Sequence, residues 1–166
     1  MIQNLLLLYE DNLGYARRLV SDLGADQMIA QPAAAENVNH PAWVLGHLAI
    51  TAHVNGANWL LGLDIAPEAG VLPPGDFDYT SAPKPDASLY PDKAKLLDLL
   101  ASGHARVAEA LSKRTDDDLR QPTPHPVLAE RFPEFGAALT HVLVRHEMLH
   151  LGQLSAWRRV QGLSSV

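Results

Sequence analysis

Proline placement constrains this chain more than any other feature. Ten of its twelve prolines lie in two stretches, residues 67–91 and 122–133. Proline inside a helix removes a backbone donor and clashes with the preceding turn, so both stretches must be connections. Between and around them the chain carries apolar residues at helical spacing, with no alternating β-branched run to compete.

Four helices are predicted on that basis. The first covers about Ile2 to Leu23, with Leu5, Leu6, Tyr9, Leu13, Ala16, Val20 and Leu23 on one side and Gly24 as its stop. The second opens at Asn39 as N-cap, with Pro41 in its first turn, and continues through Trp43, Leu45, His47, Leu48, Val54 and Trp59 to about Gly62. The third begins around Ser88 to Pro91 and carries Leu96, Leu97, Leu99, Leu100, Val107, Ala108 and Leu111 to about Arg114. The fourth runs from about Glu134 to Val160 and ends in Arg158 and Arg159, cations suited to a helix C-terminus. An extra turn is expected over Thr115 to Leu119.

The fold class is therefore all-α. The link between the second and third helices is about 25 residues long, enough to return along a bundle and leave those helices parallel. The expectation is a four-helix bundle with a long crossover between helices 2 and 3, one domain over residues 1–166.

Composition removes several functions. Cysteine is absent, which excludes disulfides, zinc–thiolate sites and a cysteine nucleophile. Any thiol chemistry would need a thiol brought in as co-substrate. The formal charge is −6 and no dense Lys/Arg cluster occurs, which argues against nucleic acid as partner. Leu5 to Leu8 is followed at once by Glu10 and Asp11 and preceded by no basic residue, the pattern of a helix start and not of a leader peptide. No apolar stretch reaches the roughly 20 residues that a membrane span needs. The expected setting is soluble and cytoplasmic.

Chemistry concentrates in the histidines. His146 and His150 stand four residues apart, so a helix projects both rings from one face, one turn apart. The positions expected to face with His146 are Leu139, Val142, Leu143, Leu149, His150, Gln153 and Trp157, mostly apolar. Two inward imidazoles carry nitrogens that need partners, and a shared divalent metal would satisfy both. His141, about 140° around the helix from His146 at α-helical pitch, is expected to be exposed.

On the second helix His47 sits on the Trp43, Leu45 and Leu48 side, next to Gly46, where another backbone or a ligand could approach closely. His40 lies seven residues earlier, about 10.5 Å along a helix, too far to share one ion with His47. His47 is the expected third ligand. His53 faces elsewhere, and His104 and His125 are lesser candidates. Three neutral imidazoles with an open position form a catalytic type of site that suits zinc, nickel or ferrous iron. Asn39 and His40 are placed at its mouth, and Gln153 beside its ligands. Thr51 and Asn58 could orient a substrate or simply hydrogen-bond between helices.

His146-Glu147-Met148-Leu149-His150 also fits the zinc-peptidase pattern, with Glu147 as general base. That pattern needs a further ligand downstream, yet residues 151–166 contain no His, Asp or Glu. For Glu147 two readings stay open, a catalytic base or a solvated residue beside a ligand.

Asn39-His40-Pro41-Ala42-Trp43-Val44-Leu45-Gly46-His47-Leu48, together with His146 to His150 followed by Leu151-Gly152-Gln153, resembles the DinB-like (YfiT-like) metalloenzyme superfamily. The likeness covers nearly the whole chain. It implies a helical bundle with a three-histidine site, often nickel or zinc, in which His47, His146 and His150 match the ligand positions one for one. It also implies a small-molecule substrate, as relatives include thiol-dependent transferases and isomerases that use small thiols such as bacillithiol or mycothiol, and also members with no known activity; the expected reaction here is of hydrolase or thiol-transferase type. Homodimers are common among them. The contrasting expectation is a non-enzymatic, stress-linked bundle that binds a metal or small molecule.

Overall fold

A computed structural model describes residues 1–32, 38–63, 72, 74–78 and 80–166. The leucine-rich N-terminal segment forms α1 (Ile2–Val20), followed by the short α2 (Ala25–Met28). The next helix, α3 (Pro41–Ile50), runs without a break into a π-helical stretch, Thr51–Leu60. The crossover contains α4 (Pro74–Phe77), and α5 (Lys93–Ser112) follows it. The second proline-rich region holds α6 (Pro126–Arg131). The last long segment is composite: α7 (Phe135–Leu139), a π-helical stretch (Thr140–His146) and α8 (Glu147–Val160). Among the described residues there is no strand, only an isolated bridge between Pro122 and Glu134. The all-α expectation holds.

Several boundaries differ from the sequence reading, each for a local reason. The second helix is capped by His40, not Asn39, because the His40 ring accepts the Trp43 backbone N–H at 3.2 Å and Pro41 takes the first turn. Gly24 does not end α1 with a left-handed turn. Its φ is −79°, and it instead caps α2. Gly62 does end the second helical segment, at φ 66°, where a side chain would be strained. Asp92 caps α5 by accepting the Lys95 N–H at 2.8 Å, which starts that helix just after Pro91. The turn expected over Thr115 to Leu119 appears as a Thr115–Asp118 side-chain cap leading into a short 3₁₀ turn, Asp118–Arg120.

Cross-contacts give the directions of the four long segments. Tyr9 stacks on His104 while Lys93 holds the Val20 and Leu23 carbonyls, so α1 and α5 are antiparallel. Asn12 meets Leu143 and Glu147, and the Leu19 carbonyl meets Arg158, so α1 and α8 are parallel. Gly103 packs on Ala52 and Gly56 on Val107, so α5 runs parallel to the second segment. The chain must therefore return along the molecule between residues 60 and 93, as the length of that connection led us to expect. Residues 64–71, 73 and 79 of this connection lie outside the described residues.

The core is divided in two. One apolar cluster gathers Leu13, Leu19, Leu45, Leu48, Leu96, Leu100, Leu151 and Leu154; the other gathers Leu5, Leu60, Val107, Leu111, Leu139 and Leu143. In sequence order every long segment passes from one cluster to the other through a polar position: Asn12 in α1, Thr51 after α3, His104 in α5, and His146, Glu147 and His150 at the start of α8. A polar layer thus crosses the middle of the fold. Such groups are costly to bury without partners, so the layer's internal bonding decides whether the fold tolerates it. A second departure lies at the end of α8. Arg158 is not a surface cation but a buried one, held by both Asp22 oxygens and by the Leu19 and Ser164 carbonyls.

Candidate metal centre

His47, His146 and His150 converge. Each offers one ring nitrogen, and these atoms lie within 4.8 Å of one another. The Nε2 atoms of His47 and His146 are 3.2 Å apart, and the His150 ring stands 4.5 Å from His47 and 4.6 Å from His146, centre to centre. Imidazole nitrogens about 2.0–2.1 Å from one tetrahedral ion are separated by roughly 3.3 Å, close to the spacing already present.

The outer nitrogens settle which atoms face inward. His47 Nδ1 lies 2.5 Å from the Phe77 carbonyl, and His150 Nδ1 lies 3.0 Å from Gln153 Oε1. Both oxygens can only accept, so each Nδ1 carries the proton and each Nε2 keeps a lone pair. Gln153 Oε1 also accepts from Asn39 Nδ2 at 3.1 Å, which holds the amide in that orientation. Asn39 and Gln153 thus stand where the sequence placed them, beside the ligand candidates. Trp43 stacks on His47, rings 4.9 Å apart, and limits its rotation.

The rings are kept neutral. Burial pushes His146 down to about 3, helped by the neighbouring His150, His47 and His141. Burial, then His47, pushes His150 down to about 4 against the Gln153 hydrogen bond. His47 is lowered as well, chiefly by burial. His146 Nδ1 is buried with no protein partner among the described residues. Converging lone pairs in a site that resists protonation fit a cation better than they fit one another.

Phe77 comes from the crossover, whose role the sequence left open. A Cβ on Gly46 would sit 2.1 Å from the Phe77 ring, so only glycine lets α4 lie against α3 and bring its carbonyl to His47. Gly46→Ala is expected to lower the unfolding free energy by about 1–3 kcal/mol and to weaken metal binding at the same time. Urea unfolding and a metal-competition titration on the one variant check both. Loss of stability with metal affinity unchanged would separate Phe77 from the site.

Glu147, next to His146, is 2 % exposed and faces the other way. Its Oε1 lies 2.8 Å from His104 Nε2, and its Oε2 accepts from Asn12 Nδ2 at 3.2 Å. The solvated reading of Glu147 does not hold, and its oxygens are engaged toward α1 and α5, away from the three histidines on the α3 side. Burial raises the Glu147 carboxyl above its usual range, opposed by His104 and Asn12. Tyr9 stacks on His104 at 3.7 Å, and its hydroxyl has no protein partner among the described residues. Sequence reasoning missed this cluster because a glutamate beside a ligand histidine looks like surface.

The remaining histidines separate cleanly. His40 is buried as a helix cap, with Nε2 donating to the Lys84 carbonyl at 3.0 Å. His53 faces α5, bonded to the Leu99 carbonyl and Arg106. His125 stacks on Trp59 at 4.1 Å. His141 departs from the expectation of an exposed residue on another face: it is half-buried against Phe132, and its ring lies 6.3 Å from that of His146. The cause is the π-helical stretch, whose i to i+5 bonding sets residues five apart about one turn above each other. Leu149 departs the opposite way, 54 % exposed instead of inward.

No curated protein matches the chain. Residues 8–154 match the family profile of the DinB superfamily, a span that includes all three convergent histidines, Gln153, and the Asn12–His104–Glu147 cluster. With nearly its whole length covered, the chain belongs to the DinB superfamily.

Proposed function

We propose that His47, His146 and His150 bind one divalent transition metal and that the protein is a metal-dependent enzyme acting on a small molecule, with water or a small thiol as the activated nucleophile. The observation that carries this is the pair of anchored Nδ1–H groups. Phe77 and Gln153 hold two imidazoles in the tautomer that turns their lone pairs onto a common point, the outer support a metal-ligating histidine needs. Three imidazoles leave at least one coordination position open, which is the pattern of a catalytic site.

When bound, such an ion lowers the pKa of a coordinated water or thiol toward neutrality. The protein's own part is to fix the geometry and keep the rings neutral. Trp43 and Gln153 restrict the ligand rings, and burial excludes the protons that would compete for their nitrogens. A peptidase mechanism is disfavoured, because the carboxylate it would use is tied to His104 and Asn12. Zinc, nickel and ferrous iron all suit three imidazoles, and the choice among them follows availability as much as affinity.

The test is a titration of untagged, metal-stripped protein with zinc, nickel and cobalt against a chromophoric chelator. One equivalent per chain is expected, with affinity falling at least about 100-fold in His146→Ala while the helical circular dichroism is kept. No binding by the wild type, or unchanged binding by His146→Ala, would overturn the assignment. Given metal binding, thiol-transfer and hydrolase screens on the loaded protein separate the two nucleophiles.

A further inference from the structure

The π-helical stretch that brings His141 beside His146 also gathers cations there. Arg145 Nη1 points at His141 Nδ1 at 3.4 Å. The Arg131 guanidinium lies over Phe132, 5.4 Å from the ring centre, and Phe132 stacks on His141 at 4.4 Å. One guanidinium thus meets this imidazole and a second lies over the phenyl ring stacked on it, and the imidazole ring is 6.3 Å from that of a metal-ligand candidate. Neither arginine has an ion-pair partner among the described residues, although the chain carries 19 acids against 13 bases. Glu130 and Glu134 are near in sequence but pair with neither.

Arginine only donates, so His141 Nδ1 is the acceptor and its Nε2 carries a proton. No acceptor for that proton is present among the described residues. Arg145, Arg131 and His141 thus offer donors without an anion, beside the cluster in which the imidazole lone pairs of His47, His146 and His150 converge. Arginine forks match carboxylates in shape as well as charge.

We propose that Arg131, His141 and Arg145 form the recognition subsite for a carboxylate on the small-molecule ligand, whose other end carries the donor atom directed at the metal. This rests on the three-histidine reading above and adds the substrate class to it: a short acid bearing a thiol, hydroxyl or carbonyl a few bonds from its carboxylate. Arg131 and Arg145 are exposed, so discrimination against a neutral analogue comes from the charge-assisted hydrogen bonds that only a carboxylate makes with them.

The test uses cobalt-loaded protein and the thiolate-to-cobalt absorption band. 3-Mercaptopropionate and 4-mercaptobutyrate are compared with neutral 2-mercaptoethanol in wild type, in Arg131→Gln/Arg145→Gln, and in Arg17→Gln/Arg18→Gln, which removes the same charge from α1. At least one acid is expected to bind the wild type and the α1 control about tenfold or more tighter than the neutral thiol. That preference should fall to within about twofold in the Arg131/Arg145 variant, with cobalt content unchanged. An affinity ratio near one in wild type, or a preference retained in the Arg131/Arg145 variant, would overturn the subsite. If cobalt does not bind, the metal reading has failed separately. In that case metal-free protein is titrated with succinate while the His141 side-chain nitrogen signals are followed by NMR. A saturable shift lost in the Arg131/Arg145 variant supports the subsite, and no shift in the wild type ends it.

Discussion

Glu147→Ala is expected to lower the unfolding free energy of the metal-free protein by about 3–5 kcal/mol, more than alanine at any of the three convergent histidines. The reason is the polar layer. Glu147 is the one group in it bonded to both α1 and α5, through Asn12 and His104. Removing the carboxylate leaves the buried His104 Nε2 without its acceptor, reduces Asn12 Nδ2 to its long contacts with the Leu143 and Val144 carbonyls, and leaves a void in a layer where the Tyr9 hydroxyl already lacks a protein partner. Glu147→Gln keeps the shape and an acceptor oxygen and should lose less than half as much. Denaturant unfolding at neutral pH measures both. Were Glu147→Ala within about 1 kcal/mol of wild type, the buried cluster would not be holding α8 in place.

Acidification should destabilise the metal-free protein well before its carboxylates titrate. His146 and His150 are held near 3 and 4 in the fold, whereas in an unfolded chain each titrates near about 6.5. Lowered folded values mean full stability above about pH 6.5. Below it the unfolded chain takes up protons that the folded cluster refuses, so stability falls until the pH approaches the folded values. Each histidine contributes a slope of up to about 1.4 kcal/mol per pH unit, and the pair amounts to on the order of 3 kcal/mol between pH 7 and pH 5. Glu147, shifted upward by burial, acts with the opposite sign and is common to wild type and variant. Urea unfolding at a series of pH values, in wild type and in His146→Gln/His150→Gln, reads the effect. The variant should show a clearly shallower slope; an identical slope would mean that the two rings are not shielded from protons.

Much of the fold was legible because proline and apolar spacing act locally. Among the described residues of 67–91 and 122–133 helix is confined to short elements; α4 and α6 each begin at a proline, the one helical place that tolerates it. The parallel α3 and α5 followed from loop length alone. The three histidines were legible because four-residue spacing on one helix and a glycine-flanked histidine on another survive small errors in helix phase.

What escaped depended on phase and on burial. The stripe on the last helix was centred on His146, with Leu149 placed inward. Leu139, Val142, Leu143, His150 and Trp157 of that stripe are buried, but the buried face also takes in a line of Glu147, Leu151, Leu154 and Arg158, and Leu149 falls outside it. Two ionisable residues in that line disguised it, since charge reads as solvent-facing until partners are known. His141 was misplaced because α-helical pitch was applied across a π-helical stretch, whose wider turn no local propensity announces. The Phe77 carbonyl on His47 was beyond reach, because backbone groups carry no residue-type signal.

X-ray absorption at the metal edge of untagged protein reconstituted with one equivalent of zinc is the most direct measurement. The expected first shell contains three imidazole nitrogens at about 2.0–2.1 Å, with any remaining ligand an exchangeable light atom, and one imidazole fewer in His47→Ala. A first shell with fewer than two imidazoles, or one that does not change when His47 is removed, would contradict a centre shared between α3 and the last helical segment.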